Sequence, residues 1–227
     1  MGTRSTKRAG GAACQATTAA SLIRDRLGRL RPKLALILGS GFHGVTALVK
    51  PRACLAYTDM PHFPKTGVKG HSGQLIAGTI GDLPVMMLSG RAHYYEGHGM
   101  EEITFPVRVM AQLGVTDLIV TNAAGGIERG FRAGDFMLLK DHLNLMGANP
   151  LRPARGGEWD GRFLDLSAAY DAGLAILAEE LRMDGSGNFS SGFLVYDATV
   201  TAVGSWGDGA PRVWVGVLRI SANHSNH

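Results

Sequence analysis

Leu34-Ala35-Leu36-Ile37-Leu38-Gly39-Ser40-Gly41-Phe42-His43-Gly44 is the stretch on which the reading of this chain turns. An unbroken apolar run ended by a glycine cluster reads as a buried strand feeding a glycine loop. The loop fits the pattern G-x-G-x-x-G. Asp59 lies twenty residues beyond Gly39, where a ribose-binding acid would sit in a dinucleotide fold. A helix opened by this loop would meet Pro51 after about two turns, which is short for a standard crossover. The same loop can instead offer main-chain N–H groups and the Ser40 hydroxyl to any phosphate. A phosphate cradle is the favoured reading, with a plain tight turn and a dinucleotide site as the alternatives.

Outward from this strand, helical and extended patterns alternate. Residues 1–14 read as a disordered basic leader. Over residues 15–30, Ala19, Leu22, Ile23, Leu27 and Leu30 recur at helical spacing until Pro32 stops the helix. A second short strand is expected at 53–57. Gln74–Ile80 and Pro84–Leu88 flank Gly81-Asp82 and predict a hairpin. Glu101–Leu113 is an amphipathic helix, with Pro106 in its first turn or at a kink. Asp117–Thr121 is a strand running into Asn122-Ala123-Ala124-Gly125-Gly126. Phe136–Leu139 is a strand followed by Asp141-His142, and Ser167–Met183 reads as a helix. This alternation predicts an α/β sheet within one domain spanning 15–183.

Composition narrows the function classes. The 227 residues include 32 Gly and 9 Pro, a share that predicts many tight turns. Residues 1–33 hold eight Lys or Arg and one acid, and the remainder carries a net charge of −3. The body is therefore not a basic surface for nucleic acid, and no apolar stretch is long enough to span a membrane. Cys14 and Cys54 fit neither a metal nor a disulfide pattern, so a reduced, cytoplasmic setting is expected. Past Asp184 the character changes. Residues 184–227 contain no Glu, Lys or Gln, and only five of these 44 side chains are charged. Gly192–Tyr196 and Arg212–Leu218 could be strands, and nothing there reads as helical.

The chemistry-bearing residues cluster in loops. Gly90-Arg91-Ala92-His93-Tyr94-Tyr95-Glu96-Gly97 puts an Arg and a His two apart at a strand's end. The Arg91 fork matches an oxyanion bidentately, and His93 adds a second donor. Tyr95 offers an aromatic body with a polar tip, suited to a sugar; a plain surface loop is the bland alternative. His71 stands between glycines, a position that is more often structural. The small residues from Asn122 to Gly126 follow a strand, where ligands dock in open α/β sheets. Trp159 is either a core anchor or an aromatic reaching toward a ligand or a neighbour. No spacing here is a metal signature.

Taken in order, these segments resemble the trimeric purine nucleoside phosphorylase family. The matching blocks are Leu36 to Gly41, Val68 to Gly73, Gly90 to Gly97, Thr104 to Arg108, Val120 to Gly126, Asp141 to Asn144, Asn149 to Leu151 and Phe163 to Asp171. The resemblance covers residues 15–181. It implies a mixed central sheet flanked by helices, and cleavage of purine nucleosides by inorganic phosphate to free base and ribose 1-phosphate. It assigns phosphate to Ser40, Arg91, His93 and the Ala123 N–H. It assigns ribose to Tyr95, His71 and Trp159, the last reaching into an adjacent subunit. His93 and His71 are the catalytic candidates. Phosphate is a co-substrate, no cofactor or metal is implied, and a homotrimer is expected. Tyr95-Glu96-Gly97 looks like the purine nucleoside branch rather than the methylthioadenosine branch.

The chain departs from the family after Leu181. The segments that hold the purine, including a Thr-Asn pair whose Asn donates to the leaving base, have no match there. The only later asparagines are Asn188, Asn223 and Asn226. The base-binding residues are thus unassigned, the fold is expected to be incomplete at its C-terminus, and 184–227 reads as an atypical tail from a slipped reading frame. Two alternatives stand beside an active phosphorylase. One is an impaired remnant that binds phosphate only. The other is a dinucleotide-binding oxidoreductase built on Gly39 to Gly44.

Overall fold

The apolar run before the glycine loop is strand β1 (Leu34–Leu38), and its neighbours on both sides run parallel to it. On one side lies β4 (Leu83–Ser89), with Leu34 opposite Val85 and Leu38 opposite Ser89. On the other lies β5 (Asp117–Ala124), where the ladder ends at Ile37 opposite Val120. The computed structural model describes residues 6–65, 73–124, 136–152, 165–181, 189–196 and 212–219.

Strand β3 (Gln74–Ile80) forms the expected hairpin with β4 across Gly81, whose φ of 56° suits a residue without a Cβ. Strand β2 (Lys50–Ala56) adds an antiparallel edge, with a register shift between Pro51 and Ala53. Beyond β5 come β8 (Arg212–Arg219), antiparallel to it, then β6 (Phe136–Asn144) and β7 (Phe189–Tyr196). Among the described residues the sheet has eight strands in the order β2-β3-β4-β1-β5-β8-β6-β7 and is mixed, as expected.

Period-two alternation sends side chains to two cores. Ala35, Ile37, Leu75, Ala77, Met86, Leu88 and Leu118 face helices α1 (Thr6–Leu27) and α2 (Met100–Gln112). There they meet Ala16, Ala19, Ala20, Ile23 and Leu27 from α1, and Phe105, Val109, Met110 and Leu113 from α2. The alternate residues Leu38, Val85 and Met87 pack with Val49 on the opposite face. Helix α2 begins where the Glu102 carboxylate accepts the Gly99 N–H at 2.7 Å. It packs on α1, and Arg24 of α1 donates to the Gln112 carbonyl at α2's C-terminal end, at 2.7 Å.

Several boundaries differ from the sequence expectation. Helix α1 starts at Thr6, inside the segment expected to be disordered; the alanines between Ala9 and Ala20 favour a helix over a frayed leader. Pro106 lies in the second turn of α2, not the first, and its buried ring deprives the helix of one main-chain donor. Strand β5 runs on to Ala124 and β6 to Asn144, because β8 and β7 supply ladder partners for those residues. Helix α3 (Ala172–Leu181) starts five residues after Ser167. Asp171 caps it by accepting the Leu174 N–H at 2.8 Å, while Asp165 holds Ser167 in the preceding turn.

The C-terminal segment holds the two runs expected to be extended. Its two extended runs are β7 and β8, and β8 lies inside the sheet beside β5. The edge that a sheet ending at β5 would have left open is therefore covered. The run Val213-Trp214-Val215-Gly216-Val217-Leu218 has the near-continuous apolar character of an interior strand.

Ile23 is fully buried between α1 and the sheet. Ile23→Ala is expected to destabilise the chain by about 2–5 kcal/mol, read as a lower midpoint in denaturant unfolding. A change within about 0.5 kcal/mol would mean that α1 does not dock as described.

Candidate active site

Three neighbouring parallel strands, β4, β1 and β5, end on the same edge of the sheet. Each hands its next residues to one of the candidate segments: Gly90-Arg91 after β4, Gly39-Ser40 after β1, and Asn122-Ala123 at the end of β5. Loops at the C-terminal ends of parallel strands are where open α/β sheets bind ligands.

Thr121 ties these segments together. It is 3% exposed. Its hydroxyl accepts the Gly39 N–H at 2.9 Å and donates to the Ile37 carbonyl at 3.3 Å. Its main-chain carbonyl accepts Nη1 of Arg91 at 2.5 Å. A Cβ on Gly39 would run into that carbonyl and come within 2.8 Å of the Asn122 Cα, so only glycine fits there. Main-chain groups of alternate strand residues share an edge. Ala123 therefore carries its N–H on the edge from which the Thr121 carbonyl meets Arg91, while Asn122 faces β8.

The arginine segment is held at its root as well. Gly90 turns with φ of 94°, and its carbonyl accepts the hydroxyl of buried Tyr57 at 2.7 Å. Burial pushes the Tyr57 phenol well above its ordinary range, so it stays protonated as the donor. Past Arg91, His93 precedes a 3-10 turn over Tyr94–Glu96 that Gly97 ends at φ of 91°.

The Glu96 carboxylate serves His93 twice. Oε1 lies 2.6 Å from Nδ1 and accepts the His93 N–H at 2.9 Å. Tyr95 stacks on the His93 ring, with centroids 4.7 Å apart and planes at 21°. Desolvation lowers the His93 pKa below its ordinary value, with Arg91 and His98 adding to the effect and the Glu96 hydrogen bond opposing it. The net shift favours the neutral ring. In the neutral tautomer that donates Nδ1–H to Glu96, Nε2 carries the lone pair. The doubly protonated ring would supply the second donor expected from the sequence. Tyr95 is 61% exposed. Its phenol is shifted upward, first by desolvation and then by Glu96.

Of the expected residues, Arg91, Ser40 and Ala123 come to one sheet edge, and His93 and Tyr95 follow on the same loop as Arg91. Ser40 itself is exposed. His71 and Trp159 lie outside the described residues. Thr121, Tyr57 and Glu96 were not among the expected site residues. The His-x-x-Glu spacing of a capping box could have flagged Glu96. The dinucleotide alternative needs an α-helix opening at Gly44, and a 3-10 turn over His43–Leu48 leads instead into β2. Among the described residues, no group of three or more His, Cys, Asp or Glu could hold a metal, and no helix is long and apolar enough to cross a membrane.

Comparison with known proteins shows what the chain is similar to. The family model of the phosphorylase superfamily matches residues 33–216. Purine nucleoside phosphorylase 1 of Bacillus subtilis (strain 168) is 48% identical over 166 residues, covering 73% of this chain and 61% of the relative. The purine nucleoside phosphorylase of Mus musculus is 45% identical over 144 residues, 62% of this chain and 50% of that protein. The chain thus spans about half to three-fifths of the length of these relatives. A crystal structure of isoform 2 of purine nucleoside phosphorylase from Schistosoma mansoni, in complex with cytosine and ribose-1-phosphate, superimposes with a TM-score of 0.74. It is 31% identical, and the match covers 90% of this chain and 82% of that one.

The pKa shift predicts a pH dependence. A histidine whose folded pKa is depressed contributes stability that is fully present above its unfolded value. That contribution is lost as pH falls through the folded one. Relative to His93→Gln, the chain is expected to lose stability below about pH 6.5 and to show a flat difference above it. NMR titration of His93 at or above the ordinary histidine value would contradict this.

Proposed function

The chain belongs to the phosphorylase superfamily, and we propose that within it this protein splits the N-glycosidic bond of purine ribo- or 2'-deoxyribonucleosides with inorganic phosphate. The products are free base and the corresponding pentose 1-phosphate. The observation that carries the reading is the convergence of Arg91, Gly39-Ser40 and the Ala123 edge at the ends of β4, β1 and β5.

The residue types fit the reaction. As the bond breaks, positive charge grows on the sugar and negative charge on the base. A phosphate dianion held beside the sugar stabilises the first and then attacks the anomeric carbon. Arg91 would grip the phosphate, with the Ser40 hydroxyl and the Ala123 N–H as further donors. Neutral His93 would accept from a phosphate or sugar hydroxyl through Nε2. Tyr95, stacked on that imidazole, would pack on the ribose, with His71 and Trp159 as further ribose contacts. Every step uses protein donors and phosphate, so the mechanism needs no cofactor or metal. A cytoplasmic homotrimer is the assembly this reading carries.

A second reading has its own support. The purine-holding segments have no match after Leu181, and a chain with the cradle alone would bind phosphate without turnover. One assay separates the two. The purified chain should convert inosine to hypoxanthine only when phosphate is present, and Arg91→Ala should slow this by about a hundredfold or more. Phosphate binding with no turnover would select the second reading. Cleavage independent of phosphate, or full activity in Arg91→Ala, would overturn the first.

A further inference from the structure

A parallel ladder normally continues by pairing the next main-chain donor with the next carbonyl. Between β1 and β5 the ladder stops at Ile37 opposite Val120, although Gly39 still lies against Thr121 too closely for any Cβ. The Gly39 N–H is given to the Thr121 hydroxyl at 2.9 Å, and the Thr121 carbonyl is left to accept Arg91. The hydroxyl's own proton goes to the Ile37 carbonyl at 3.3 Å, so it bridges the two main-chain groups that flank Leu38.

We propose that Thr121 is the positioning residue of the anion site: its side chain takes the ladder donor so that its carbonyl can hold Arg91. The two loops are thereby locked in one register by a single buried residue. Without the hydroxyl, a buried N–H on Gly39 has no partner and competes with Arg91 for the same carbonyl. A threonine is suited to this because its β-branched body fills a strand position while the hydroxyl bonds locally. Valine keeps the shape and loses the switch; serine keeps the hydroxyl.

The inference rests on the reading that Arg91 grips phosphate, and the experiment judges the two separately. Inorganic phosphate is titrated calorimetrically into the unsubstituted chain, Thr121→Val and Thr121→Ser, and crystal structures of the variants locate Arg91. Thr121→Val is expected to weaken phosphate binding about tenfold or more, to raise KM for phosphate, and to leave KM for the nucleoside within about twofold. Its Arg91 should leave the residue-121 carbonyl, and Thr121→Ser should restore both. Unchanged phosphate affinity and an unmoved Arg91 in Thr121→Val would overturn the proposal. If the wild type bound no phosphate, the phosphorolysis reading would fall, and the Arg91 position in the variants would still decide the role of Thr121. Should Thr121→Val not fold, hydrogen exchange in the wild type serves: slow exchange of the Gly39 amide supports the bridge, and rapid exchange overturns it.

Discussion

The bonds of Thr121 to both the β1 loop and Arg91 are the constraint on which the rest depends. They join residues 30 and 82 positions away in sequence, and they sit where the sheet stops pairing and the loops begin. Everything upstream serves to bring those loop ends together. The alternating faces of β1 and β4 place two cores on either side of the central strand, and α1 and α2 seal one of them. The Tyr57 hydroxyl, reaching the Gly90 carbonyl from the segment after β2, then aims the arginine segment. A cradle for an anion gains from such rigidity, because donors fixed beforehand need no reorganisation when the ligand arrives.

The electrostatics divide the donors by role. Arg91 is always charged and geometrically fixed, which suits it to an anion. Desolvation lowers the His93 pKa and Glu96 orients the ring, which favours a neutral imidazole able to accept a proton or a hydroxyl hydrogen bond. Stacked Tyr95 leaves most of its surface open for a partner beside that imidazole. On the proposed reading, the arrangement separates an anion-gripping part from a part that meets an uncharged, hydroxyl-rich group.

Much of the framework was legible in the sequence, for reasons that differ by element. Strand β1 and the β3–β4 hairpin were readable because apolar runs and Gly81-Asp82 act locally. The start of α3 was not, because Asp171 and Asp165 compete as caps within a few residues and only the fold selects between them. The extension of β5 through Asn122, Ala123 and Ala124 has no propensity behind it and depends on β8, which is more than 80 residues away in sequence. The same holds for the site. Arg91 and His93 stood out by residue type, whereas Thr121 matters only because three strands end around it. The lowered pKa of His93 likewise follows from burial, with Arg91 adding to it, which spacing alone does not carry.

On the proposed reading, the ends of β4, β1 and β5 form one anion cradle. A crystal structure of the chain grown in saturating inorganic phosphate tests it most directly. The account predicts a tetrahedral anion bounded by the Arg91 guanidinium, the Ser40 hydroxyl and the Ala123 N–H, with Arg91 still on the Thr121 carbonyl. An anion bound elsewhere, or none at that edge under saturating phosphate, would contradict it.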